Sequence, residues 1–106
     1  MELGMIYATG NGVEKDFTKA NVWFLEAALQ GNKDGMFNIG VSYQTGSGIE
    51  KNHRKAVEWY EKAAKQGNVD AQYHLGWAYY FGEGVKQDDD QALAWYEKAV
   101  EQGYAD

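Results

Sequence analysis

The chain has 106 residues without proline or cysteine; 44% are apolar, 15% aromatic and 25% charged, too apolar for a disordered segment and suited to one compact domain over 1–106. A formal charge of −6 sets the net field against nucleic acid and anionic lipid, so no nucleic acid and no membrane insertion is expected and basic or neutral partners fit better. Lack of cysteine excludes disulfides, thiolate nucleophiles and cysteine-ligated zinc. No apolar run reaches the length of a membrane span, and Met1-Glu2-Leu3-Gly4 lacks the basic and apolar regions of a signal peptide. The compartment stays open: cytoplasmic, or periplasmic or secreted once a signal has been removed.

Displacing the sequence against itself by 36 positions superposes Gly4, Gly40 and Gly76; Tyr7, Tyr43 and Tyr79; Gly10, Gly46 and Gly82; and Gly12, Gly48 and Gly84. The coincidence continues through Ala20, Ala56 and Ala92; Trp23, Trp59 and Trp95; Ala27, Ala63 and Ala99; Gln30, Gln66 and Gln102; Gly31, Gly67 and Gly103; and Asp34, Asp70 and Asp106. Such a fixed period marks a solenoid, whose units bury their apolar faces against their neighbours. The units are drawn as 1–36, 37–72 and 73–106.

In the first unit a helix A starts near Met1 and turns through Gly10-Asn11-Gly12-Val13. Asp16 then caps a helix B that Gly31 closes. Asn32 starts the second helix A, Gly46-Ser47-Gly48-Ile49 turns it, and Asn52 caps a helix B closed by Gly67. Asn68 starts the third helix A, expected over Val69 to Tyr80 because Ala71, Leu75, Gly76 and Tyr79 fall at helical spacing. After Gly82-Glu83-Gly84-Val85 comes the third helix B, Asp88 to Gln102, with Ala92, Trp95, Tyr96, Ala99 and Val100 on one apolar face. The loop glycines are expected at positive φ, with the β-branched residue plugging the hairpin end. Small Gly76, Ala92 and Ala99 let the helix axes approach, and the aromatics fill the space around them. Each unit is thus an antiparallel helix pair.

Leucine, glycine and tyrosine on helix A, the Gly-x-Gly-Val loop, the acidic cap, and Ala-x-x-Trp-Tyr-x-x-Ala-Ala-x-x-Gly on helix B together resemble the Sel-one-like repeat family, a relative of the tetratricopeptide repeat. The 36-residue period and the absence of proline separate this chain from the 34-residue tetratricopeptide unit. The resemblance covers the whole chain and implies an all-α, right-handed α/α superhelix of three antiparallel helix-pair repeats. It also implies a non-catalytic scaffold or adaptor holding a protein or peptide on its concave face. Family members also serve as partners or immunity proteins that neutralise bacterial effectors. Others carry a cysteine pair in each repeat and are linked to cell-wall ligands, a subgroup disfavoured by this cysteine-free chain.

Chemistry finds little support. The Gly-x-Gly loops follow helices rather than strands and lack Gly-Lys-Ser/Thr, so a structural turn is the better reading than a phosphate loop. His53 and His74 have no second histidine at ligand spacing, and each is expected to face solvent. Asp88-Asp89-Asp90 reads as a helix cap opposing the dipole rather than a cation site, since Asp16-Phe17-Thr18 and Asn52-His53-Arg54 at the same places are not acidic clusters. The recurrent tryptophans read as core, with truncation of Trp59 to alanine expected to cost roughly 3–5 kcal/mol. No nucleophile, base and orienting group occur together, so no catalytic residue, cofactor or metal is expected.

Function therefore belongs where the repeats differ. Taking the tetratricopeptide resemblance as guide, the concave wall reads Met1, Met5, Ala8 and Thr9, then Phe37, Val41, Gln44 and Thr45, then Tyr73, Trp77, Tyr80 and Phe81. Its aromatic content rises along the chain, and Phe37, Val41, Gln44, Tyr73, Trp77, Tyr80 and Phe81 form the candidate partner surface. A carbohydrate or cell-wall ligand is the alternative occupant of this aromatic groove. On the back of helix B, Val22, Leu25 and Leu29 make an apolar stripe where the other repeats carry Glu58, Glu61 and Lys65, or Ala94, Glu97 and Glu101. This stripe is a candidate second contact face. The pattern begins inside a helix A and stops without a polar closing helix, as expected of part of a longer array or of a homo-oligomer joined through uncapped ends.

Overall fold

Each described helix opens on a side chain that accepts from a backbone N–H three residues on. The structure, a computed structural model, describes Gly4 and residues 16–103. The expectations for Met1, Met5, Ala8, Thr9 and the loop Gly10-Asn11-Gly12-Val13 lie outside the described residues. Among the described residues run α1 (Phe17–Leu29), α2 (Lys33–Thr45), α3 (His53–Lys65), α4 (Val69–Phe81) and α5 (Asp89–Glu101), with no strand. Asp16 accepts from Lys19 N at 3.1 Å, Asn32 from Gly35 N at 2.9 Å and Asn52 from Lys55 N at 3.1 Å. Asn68 accepts from Ala71 N at 2.7 Å and Asp88 from Gln91 N at 3.1 Å. The expected caps Asp16, Asn52 and Asp88 are in place, Asn32 and Asn68 cap the helices that they were expected to start, and the acidic triplet at 88–90 is the start of α5.

The helices alternate in two types, as expected. α1, α3 and α5 end at Gln30, Gln66 and Gln102, each followed by a glycine at positive φ. α2 and α4 end directly on Gly46 and Gly82 in the left-handed region. Each helix packs on the next, so α2 with α3 and α4 with α5 are hairpins, while α1 with α2 and α3 with α4 join successive repeats. Units drawn from Lys33 and Val69 keep every helix whole, whereas boundaries at 37 and 73 fall within helices of the same 36-residue period.

The core corrects one expectation. Trp23, Trp59 and Trp95 are only partly buried, and the centre goes to the residue after the tryptophan: Phe24 is 3% exposed and Tyr60 2%. Both lie on the apolar arc of their helix, but it is the second whose ring faces the glycine of helix A. A Cβ on Gly40 would stand 2.8 Å from the Tyr60 ring, and one on Gly4 the same distance from Phe24. The tryptophans flank the core, and two of them carry a lysine one turn on, Lys62 Nζ 4.5 Å from the Trp59 ring centre and Lys98 Nζ 5.2 Å from that of Trp95.

The Gly-x-Gly loops also do more than turn. The second glycine seats the loop on the preceding repeat: a Cβ on Gly48 would lie 2.6 Å from Phe17 C, and one on Gly84 only 2.4 Å from the carbonyl oxygen of His53. Between repeats one and two the joint is polar: Asn21 Nδ2 donates to Ser47 O at 2.9 Å, and Asn21 Oδ1 accepts from the Ser42 hydroxyl at 2.5 Å. Thirty-six residues on, the same two positions are Val57 and Ala78. At these two positions the second joint is therefore apolar, and it borders the candidate site.

Candidate interaction groove between repeats two and three

Four residues after each helical turn return to the same face, and on α4 that face is aromatic: Tyr73, Trp77, Tyr80 and Phe81. Trp77 is 42% exposed, Tyr80 50% and Phe81 66%. Trp77 stacks on Phe81 with centroids 5.3 Å apart and meets Tyr80 edge-on at 5.6 Å. Phe37 and Val41 of α2 are partly buried and packed against the core rather than raised from the wall.

A cavity of about 390 Å³ opens between α3 and α4. Of the candidate residues it brings together Gln44, Tyr73, Trp77 and Phe81, over an apolar lining that includes Ala56, Val57 and Ala78. Tyr80 instead borders an adjacent cleft of about 440 Å³ with Tyr73, Trp77, Leu93 and Tyr96. Phe37 and Val41 line neither. The second cleft is the periodic image of the surface that α4 covers on repeat two, which is why Val57 is 5% exposed and its counterpart Leu93 58%.

The cavity also holds residues that the sequence did not single out as partners: His53, Tyr60, His74 and Glu83. His74, expected to face solvent, is partly buried in an aromatic cage, 5.1 Å from Phe37 and 5.3 Å from Tyr60 between ring centroids. Its Nδ1 lies 2.8 Å from the Asp70 carbonyl oxygen, so that nitrogen carries the proton and donates. The matching residue of repeat two is Asn38, so no recurring signal points to an aromatic setting. His53 is also partly buried, its Nδ1 3.1 Å from Glu83 Oε1 across the repeat joint. Glu83 occupies the variable place of the Gly-x-Gly loop, where repeat two has Ser47. The Tyr60 hydroxyl donates to Gln44 Oε1. Burial, and then the Glu83 carboxylate, push that phenol well above its ordinary value, so it stays a protonated donor.

The apolar stripe of α1 is exposed, Val22 by 60%, Leu25 by 39% and Leu29 by 74%. The charged back of α3 carries instead a Lys65–Glu61 pair at 3.3 Å.

Repeated helix pairs stacked into a superhelix define an α/α-solenoid fold. The Sel1 repeat sequence model matches residues 1–32, 33–68 and 69–104, and the chain belongs to that family. The chain is similar to a protective antigen of uropathogenic Escherichia coli strains displaying an SLR fold: 40% identity and a TM-score of 0.95 over 97% of this chain and 22% of that one. A Sel1 repeat protein from Oxalobacter formigenes is 43% identical with a TM-score of 0.93, over 96% of this chain and 42% of that one. Helicobacter pylori cysteine rich protein B is 30% identical with a TM-score of 0.78, over 81% of this chain and 65% of that one. The chain thus spans less than two thirds of each of these proteins. No functionally curated protein matches it. Sel1 repeat proteins are in general non-catalytic protein-interaction scaffolds. No helix among the described residues is long and apolar enough to cross a membrane.

Proposed function

We propose that this chain acts as a single binding unit that holds a protein or peptide segment along the groove between repeats two and three. The observation carrying this reading is the row of exposed rings Trp77, Tyr80 and Phe81 beside a cavity of about 390 Å³. Rings of this kind bury large area with few rotors to freeze, the property that concentrates binding energy in a few interface residues. Phe37 and Val41 hold the wall, Gln44 and Tyr73 line the cavity, and Trp77, Tyr80 and Phe81 supply the anchors. The stripe of Val22, Leu25 and Leu29 serves a second contact.

The test is selection of a randomised displayed peptide library on the wild type and on a Trp77→Ala, Tyr80→Ala double variant whose helicity is confirmed by circular dichroism. Selected peptides should bind the wild type at least about tenfold more tightly, since two anchors are removed. Equal binding by the two proteins would reject the groove. Capture of glycans but of no peptide on a parallel array would favour the carbohydrate reading instead.

A further inference from the structure

Among the described residues, Glu83 is the only carboxylate lining the cavity between repeats two and three, and no lysine or arginine lines it. The loop bearing it is fixed: Gly82 and Gly84 both take positive φ, and Gly84 rests so close on the His53 carbonyl that a Cβ there would stand 2.4 Å from the oxygen. The carboxylate is thus held at the groove, two residues past Phe81, with its side chain 46% exposed. His53 donates through Nδ1 to Oε1 at 3.1 Å, which leaves Oε2 and further lone pairs, since a carboxylate accepts about four hydrogen bonds. Its field reaches the cavity floor, where it helps to hold the Tyr60 phenol protonated.

Beside this carboxylate stand the stacked rings of Trp77 and Phe81. The chain shows elsewhere how it seats a basic side chain on such rings, Lys62 over Trp59 at 4.5 Å and Lys98 over Trp95 at 5.2 Å. Aromatic faces, a fixed anion and a net charge of −6 are complementary to a long cationic side chain, whose stem covers the rings while its head reaches the carboxylate. The two imidazoles leave the rest of that carboxylate open: His53 donates its Nδ1–H to Glu83 Oε1, and His74 donates its own to the Asp70 carbonyl.

We infer that the cavity selects a peptide segment bearing an arginine or lysine, its aliphatic stem on Trp77 and Phe81 and its cation on Glu83. This rests on the groove reading above and adds the chemistry of the residue that it recognises.

The test is the same displayed library selected on the wild type and on Glu83→Gln, an isosteric change in a half-exposed loop residue. Wild-type selection should fix arginine or lysine at one position, and changing that residue to glutamine should weaken binding about tenfold, the scale of one charge-assisted contact. On Glu83→Gln the two peptides should bind within about twofold of each other, because the coupling has been removed. Peptides that need Trp77 and Tyr80 but show no basic preference, or whose basic residue matters equally on both proteins, would overturn the charge reading and leave the groove standing. Peptides indifferent to the Trp77→Ala, Tyr80→Ala change, or a selection that yields no binder, would overturn the groove and the charge reading together.

Discussion

Tyr60 has the ring that Gly40 makes room for, and its hydroxyl is held by Gln44. Replacing Tyr60 with alanine should cost about 3–5 kcal/mol in urea denaturation, while Trp59→Ala should cost only about 1–2 because that ring is partly solvated. Equal losses would contradict the packing described. The phenol predicts a pH effect as well. Its folded pKa lies above the ordinary 10.0, so the unfolded chain releases this proton first. The stabilisation is complete below pH about 10 and is lost as pH rises beyond it. Between pH about 9 and 11 the wild type should therefore lose stability more steeply than Tyr60→Phe, and parallel curves would refute the assignment. The sequence could not separate Trp59 from Tyr60, since neighbouring positions share the apolar arc of a helix. Only the approach of Gly40 decides between them.

Helix caps and closing glycines were legible residue by residue, because their chemistry is local: an Asx side chain at the start, a left-handed glycine at the end. The described caps at Asp16, Asn32, Asn52, Asn68 and Asp88 all follow that rule. Asn68 in addition donates from Nδ2 to Asp34 Oδ1 at 3.0 Å, joining α4 to α2. The second role of the loop glycines was not legible, since it depends on the neighbouring repeat. Gly31→Ala has open space around its Cβ and meets only the strain of φ 88, so thermal or urea unfolding should show a loss of about 1 kcal/mol. Gly84→Ala adds a collision with the His53 carbonyl to an unfavourable φ of 78 and should cost about 3 kcal/mol or more. Similar losses at the two sites would mean that the loop yields instead of resting on α3.

At the scale of the molecule, the two seams between repeats differ at one matched pair of positions, polar in the first and apolar in the second. The all-α repeat architecture was legible from the period, the helical spacing within it and the family resemblance, but the contents of each seam were not, because they combine residues far apart in sequence. Asn21 with Ser42 in one seam and Val57 with Ala78 in the other become a meaningful pair of pairs only once α2 and α4 are seen to pack on the helix before them. Val57→Asn alone should cost about 1–3 kcal/mol by burying an amide with too few partners. Adding Ala78→Ser should recover part of that loss through the hydrogen bond seen in the first seam, and strict additivity of the two changes would contradict the seam's design. His74 was missed for the same reason: its aromatic company comes from Phe37 and Tyr60, on two other helices. The most direct test of the account is an NMR titration of the chain with a peptide selected on it. Backbone shifts should concentrate at Gln44, at His53 and along Tyr73–Glu83. Shifts confined to the α1 stripe at Val22, Leu25 and Leu29, with α4 unmoved, would contradict the groove as the binding site.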